Sequence, residues 1–142
     1  MQIRLMIEED LELVRQLWIE CGFTLTESDT IAELKRMINH NPDLCFVLKK
    51  VEDDSIIGAV LGGFDGRRGW IHHLAIHPQY QKKGLGKKIM NKIIGTFEEK
   101  KVLKVKLEVL ENNKAVIEFY TNLGWDIRPE LTTMSFNLQK NK

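Results

Sequence analysis

Residues 74–90, LAIHPQYQKKGLGKKIM, restrict this chain to a small set of folds. An apolar, strand-like run ends at His77-Pro78. Two glycines and a group of lysines follow, and helical spacing starts at once, with Leu85, Ile89, Ile93 and Phe97 on one side. A strand that enters a helix through a glycine-rich turn is an anion site. The first helical N–H groups lack partners within the helix, and the macrodipole places about half a positive charge there. Gly84 and Gly86 open the backbone to close approach and tolerate left-handed dihedrals. Lys82, Lys83, Lys87 and Lys88 add charge at the same point. Such a cradle suits a diphosphate better than a lone carboxylate. The GxxxxGK[ST] loop of nucleoside triphosphatases is absent, and the turn follows a fourth strand rather than the first, as a dinucleotide fold would require.

Around this turn the chain alternates its periods. IRLMI reads as a first strand, and EEDLELVRQLWIECGF as a helix whose apolar face holds Leu13, Leu17 and Cys21 beside Val14 and Trp18, with Gly22 as its stop. Ser28 or Asp29 can cap a second helix with Ile31, Leu34 and Ile38 inward, ended by Pro42. LCFVLKKV, SIIGAVLGGF and WIHHLAIHP read as three antiparallel strands joined by EDDS and DGRRG. A helix over 84–100 and a strand over 102–110 follow. Asn112 or Asn113 caps a last helix that ends at Gly124, and WDIRPELTTMSFNLQ holds two short strands. The order β-α-α-β-β-β-α-β-α-β-β predicts an α/β (mixed α+β) fold with a mainly antiparallel central sheet of about seven strands and four helices on its two faces. At 142 residues, 1–142 reads as a single domain.

Charge and composition exclude several classes. The formal net charge is +1, with 43% hydrophobic and 29% charged residues, so nothing global points to nucleic acid or a membrane surface. The lysine cluster lacks the interleaved aromatics of a nucleic-acid binder. No apolar leader or membrane-length run is visible. Cys21 and Cys45 have no metal-ligand or redox spacing, which predicts free thiols and a cytoplasmic setting. His72, His73 and His77 do not read as a metal site, since neighbours on a strand diverge.

LAIHPQYQKKGLG, followed by LEVLENNKAVIEFYTNLGW, closely resembles the GNAT superfamily of acyl-CoA-dependent N-acyltransferases. Leu74 through Gly86 fits its hydrophobic-Ala-Val/Ile-x-Pro-x-x-[Arg/Gln]-x-x-Gly-x-[Gly/Ala] core, and Asn113, Tyr120, Gly124 and Trp125 fit the spacing of its second half. Val116 stands where many members have Ala. The resemblance spans essentially the whole chain, although residues 1–60 agree only in layout. The RRGWI run adds a likeness to small stand-alone bacterial members.

The resemblance implies an enzyme that moves an acetyl group from acetyl-CoA to a primary amine of a small molecule, peptide or protein N-terminus, by direct attack in a ternary complex. It implies that strands four and five splay apart. The pantetheine arm would pair with the backbone of Leu74, Ala75 and Ile76, and the pyrophosphate would meet Gln81, Lys82, Lys83, Gly84, Leu85, Gly86 and Lys87. Asn113 caps its helix and, by resemblance, also meets the pantetheine arm. The alternative is a non-catalytic acyl-CoA-binding or sensing module on the same fold. A homodimer is an expectation carried by the resemblance alone. No metal is expected.

Acyl transfer to an amine requires loss of a proton from nitrogen, donors for the developing oxyanion, and a proton or hydrogen bond for the departing thiolate. By resemblance Tyr120 serves the thiolate, and a backbone N–H of Ile76 or Ala75 serves the oxyanion. Many members place a carboxylate as base where this chain has His72 and His73, and one branch uses histidine near His72. His72 is the favoured base, with His73 or a water chain as alternatives. Glu108 is either a water-holding group or an ordinary strand residue. Acceptor recognition is assigned to CGFTLTESD, GGFDGRRGW and RPE. There Asp65, Arg67 and Arg68 are either ligands of the acceptor or plain turn residues.

Overall fold

Five strands, β1 (Gln2–Leu5), β2 (Phe46–Lys49), β3 (Ile56–Phe64), β4 (Gly69–Ile76) and β5 (Val105–Leu107), build one sheet in the order β1-β2-β3-β4-β5, and the near-continuous apolar runs of β2 and β3 are buried on both faces. The computed structural model describes residues 1–139. It divides into two compact units, residues 1–108 and the segment from Val109 onward. In the first, the β1–β2, β2–β3 and β3–β4 pairings are antiparallel and β4–β5 is parallel. Four α-helices accompany the strands: α1 (Leu11–Glu20), α2 (Ile31–His40), α3 (Leu85–Glu99) and, in the second unit, α4 (Lys114–Asn122).

The strand period of two sorts the core by face. Leu11, Val14, Leu17 and Trp18 of α1, with Leu34 and Ile38 of α2, pack against Cys45, Val47, Ala59, Leu61 and Ala75. The other parity of β2 looks toward α3, where Lys92 Nζ lies 5.9 Å from the Phe46 ring centre. α3 buries Ile89, Met90, Ile93 and Phe97 on its inner side. Burying each such side chain contributes about 1.5–3 kcal/mol. Leu13, expected inward, is 51% exposed: the buried stripe of α1 runs through Leu11, Val14, Leu17 and Trp18, and Leu13 falls at its edge. The helix entry is tied to β1 by Arg4, whose guanidinium donates to both oxygens of the Asp10 carboxylate at 2.7 and 2.8 Å.

The expected cap of α2 is corrected. Thr30 is the N-cap, its Oγ1 accepting from the Glu33 N–H, while Thr26 and Asp29 form a capping box around the single turn Glu27–Asp29. The strand count is corrected too: the sheet has five strands, not about seven. WDIRPELTTMSFNLQ contains no strand among the described residues. Met134, Phe136 and Leu138 alternate as a strand would, yet they are 89%, 76% and 70% exposed. Alternation specifies a strand only where a pairing edge and a face to bury against exist.

Two features of β4 set up the site. Its pairing with β5 covers only Gly69, Trp70 and Ile71, so His72–Ile76 runs on without a strand on that side among the described residues. On the β3 side, Ala59 pairs with Ala75 and Leu61 with His72. One residue of β3 therefore faces two of β4, a β-bulge at His73–Leu74, and His73 adopts a left-handed φ of +50°.

Candidate active site

The open stretch of β4 leads through a single 3-10 turn, Pro78–Tyr80, into the glycine turn and α3. Lys82 and Gly84 are both left-handed, with φ of +63° and +80°. Left-handed residues of this kind occur in turns whose backbone N–H groups receive anions, and here the turn leads into the N–H groups of the first turn of α3, which have no partner within the helix. Gly84 caps α3 without a side-chain hydrogen bond, and a Cβ built on it would meet nothing within 4 Å. Its glycine is required by the dihedral, not by crowding. Gln81 latches the turn to the strand end, its Nε2 donating to the Ile76 carbonyl at 2.8 Å. Lys82, Lys83 and Lys87 are exposed, and the Lys83 ammonium lies 5.5 Å from the Tyr80 ring centre. Leu85 and Gly86 form the first turn of α3.

Hydrogen-bond parity says which β4 groups are free. The His77 N–H donates to the Ile57 carbonyl at 2.7 Å, so the ladder alternation directs the Ala75 backbone to β3 as well. Ile76, between them, turns its N–H and C=O to the open side. Its carbonyl is already taken by Gln81 and by the Cys21 thiol at 3.2 Å, which leaves the Ile76 N–H as the available donor. His77 also closes the end of the strand. Its Nδ1 accepts from the Gln79 N–H at 3.2 Å, so the proton sits on Nε2 and donates to Glu20 at 2.7 Å.

The bulge overturns the expectation that His72 and His73 diverge. Both line one open cleft of about 780 Å³ between β4 and α2, together with Ser28, Asp29, Glu33 and Leu61. His72 stacks on Trp70, with ring centres 6.3 Å apart and planes within 5°. Surrounding protein makes charging His72 costly, and the neighbouring His73 adds to this, so its pKa falls below the usual imidazole value. His73 is held on every side. Its carbonyl, freed by the bulge, accepts from Trp18 Nε1 at 3.2 Å; its ring lies 4.8 Å from the Trp18 ring and 5.3 Å from that of Phe23. Its Nε2 is 3.0 Å from Asp29 Oδ1.

From sequence Asp29 is a candidate helix cap and the last residue of the CGFTLTESD segment assigned to acceptor recognition. It is buried, 5% exposed, and its other oxygen accepts from the Thr26 N–H at 3.0 Å. The T-x-x-D spacing of Thr26 and Asp29 was the only available signal; the partnership with His73, 44 positions away, had none. Asp65 caps its turn, its Oδ1 accepting from the N–H groups of Arg67 and Arg68. Among the described residues no group of three His, Cys, Asp or Glu could hold a metal ion, and no helix is long and apolar enough to cross a membrane.

In the second unit Asn113 caps α4, its Oδ1 accepting from the Val116 N–H at 3.3 Å. Tyr120 is packed between Phe119 and Trp125, with ring centres 5.1 and 5.6 Å away. Burial pushes its phenol up to about 12.

Comparison with known proteins gives the family from two directions, and solved structures share the fold. Residues 11–125 match the acetyltransferase (GNAT) family. An acetyltransferase of Pectobacterium atrosepticum is 35% identical over 130 residues, covering 89% of this chain and 88% of that protein. One of Sodalis glossinidius is 32% identical, covering 97% and 96%. Among solved structures, Ard1 from Thermoplasma volcanium superposes with a TM-score of 0.76 at 24% identity, covering 89% of this chain and 83% of that one. The PaiA N-acetyltransferase of Thermoplasma acidophilum, solved in complex with coenzyme A, gives 0.78 at 20% identity, covering 90% and 92%. With a β4–β5 pairing of three positions, a left-handed glycine turn, a family match over residues 11–125 and relatives of this identity and coverage, the chain belongs to the acetyltransferase (GNAT) family.

Proposed function

We propose that this protein transfers an acetyl group from acetyl-CoA to a primary amine of a small molecule, peptide or protein N-terminus, by direct attack within a ternary complex. One observation carries the reading. The stretch His72–Ile76, paired on the β3 side only, and the left-handed turn before α3 lie on one continuous segment, so an open strand edge runs directly into an anion cradle. The chemistry of coenzyme A asks for that pair of features, since its amide-bearing arm can pair like an added strand and its diphosphate needs N–H donors and positive charge. The residues present fit it: Lys82, Lys83 and Lys87 around the turn, the free Ile76 N–H on the strand, and the open space at Gly84. The names of the relatives, and coenzyme A in the PaiA structure, support the same assignment.

When bound, acetyl-CoA supplies the acetyl group as a thioester. The Ile76 N–H is the donor suited to oxyanion charge, because Ala75 spends its own on β3. Tyr120, whose raised pKa keeps it protonated at neutral pH, donates a hydrogen bond to the departing sulfur. An imidazole of the bulged segment takes the proton of the attacking amine. His72, favoured by sequence, stays neutral at pH 7 with its lowered pKa, and His73 lines the same cleft. The acceptor enters over Ser28, Asp29 and Glu33.

Calorimetric titration with acetyl-CoA, beside the Gly84→Trp variant, tests this reading. Micromolar binding to wild type that is lost in the variant is the expected result. Thiol release with a panel of amines should then fall by about 10²- to 10⁴-fold in Tyr120→Phe, with acetyl-CoA affinity retained. Binding without turnover of any amine would favour a sensing module. No binding by well-folded protein would end the proposal.

A further inference from the structure

We propose that the proton acceptor in this cleft is His73 and that Asp29 is its positioning residue, fixing the imidazole with Nδ1 free. The inference rests on the acyl-transfer reading above and names the group that serves it. Three independent constraints converge on this ring. An ionised carboxylate only accepts, so the 3.0 Å contact with Asp29 Oδ1 places the proton on Nε2 and leaves Nδ1 the lone pair. The Asp29 carboxylate cannot drift, because its second oxygen is held by the Thr26 N–H at 3.0 Å and Arg15 Nε donates to its backbone carbonyl at 2.8 Å. The histidine cannot drift either: the bulge, the left-handed φ of +50° and the Trp18 hydrogen bond to its carbonyl fix the backbone, while Trp18 and Phe23 border the ring. A non-glycine residue held in left-handed backbone within a strand costs about 1–3 kcal/mol, and such strain concentrates at working sites.

Among the described residues His72 has no comparable partner, and it stacks on Trp70. Around His73 the titratable and charged groups are Asp29 and, through its backbone, Arg15; His72 on the same strand; Glu33, Arg36 and His40 from α2 along the cleft; and Glu108 after β5, which acts on His72. Asp29 is the one in direct contact, so an imidazolium on His73 is met by a carboxylate at once. In the step, the amine nitrogen bonds to the acetyl carbon as its proton passes to His73 Nδ1, and the carbon–sulfur bond breaks. The sulfur keeps the electron pair and is neutralised by a proton, and His73 returns its own to solvent, so amine and thioester become amide and thiol.

Asp29→Asn gives a sharp test. Its amide oxygen can keep the Thr26 N–H, but its NH₂ then donates to His73 Nε2 and forces the proton onto Nδ1. Long-range proton–nitrogen correlation spectra of the imidazole rings should show the Nε2–H form of His73 in wild type and the Nδ1–H form in Asp29→Asn. With benzylamine, spermidine and trialanine as amine probes, kcat should fall by about 10²- to 10⁴-fold in that variant, with the acetyl-CoA Kd unchanged. His73→Gln should abolish the acid limb of the pH–rate profile, and His72→Gln should retain it. The proposal is overturned by an Nδ1–H or mixed tautomer in wild type, or by loss of the limb in His72→Gln alone. If acetyl-CoA binds but no probe is acetylated, the acyl-transfer reading and the proton-acceptor role fail together, while the spectra still decide whether Asp29 orients the ring.

Discussion

The two halves of β4 share a strand but not a purpose. Gly69–Ile71 is paired on both sides and covered by α3; His72–Ile76 is bulged and paired on one side only. In the first half the backbone is so closely packed that a Cβ on Gly69 would stand 2.5 Å from Cε1 of Phe97, itself 1% exposed. In the second half and the turn beyond it, a Cβ on Gly84 meets nothing. Both segments need glycine, one because packing forbids a side chain and the other because the dihedral does. The contrast separates stability from binding along one short piece of chain.

Breaking the packed half should have the largest effect. Gly69→Val forces the Phe97 ring to move in a filled core, where overpacking costs about 1–3 kcal/mol or more. Urea titration should show a lower midpoint with an unchanged slope, while the folded fraction binds acetyl-CoA as wild type does. A loss of affinity matching the loss of stability would mean that the halves are not separable. In the open half, Gly84→Val puts a β-branched residue at φ +80°, at a cost of about 1–2 kcal/mol. Here acetyl-CoA affinity should fall at least about tenfold, measured by calorimetry.

The smallest effect concerns pH. The folded protein resists protonating His72, so the unfolded chain binds the proton more readily. Stability from this residue is complete above the unfolded imidazole pKa of about 6.5 and declines as pH falls through it. His72→Gln should flatten the thermal midpoint over that window, and an unchanged slope would place the acid sensitivity elsewhere.

Much of the architecture was legible because it follows from local periodicity. Leu34 and Ile38, and Ile89, Ile93 and Phe97, recur at helical spacing and are buried as that spacing requires. Gly84 and Asn113 stand where the turn and cap chemistry of their residue types places them. The errors have physical causes. Leu13 lies at the edge of the α1 stripe centred on Leu11, Val14 and Trp18, so four-residue spacing to the buried Leu17 does not carry it inward. The two expected tail strands are absent from the described residues, since the alternation of Met134, Phe136 and Leu138 says nothing about whether an edge is there to receive them.

The sequence by itself determined the strand–turn–helix anion cradle and the element order through β5, since both depend on residues a few positions apart. Only the tertiary structure decided which backbone N–H of β4 is free, that His72 and His73 share a cleft, and that Asp29 meets His73. The bulge that brings these about arises from the register of β3 against β4 and from the seat Trp18 offers to a displaced carbonyl. Those are contacts between residues far apart in the chain, and no local pattern encodes them.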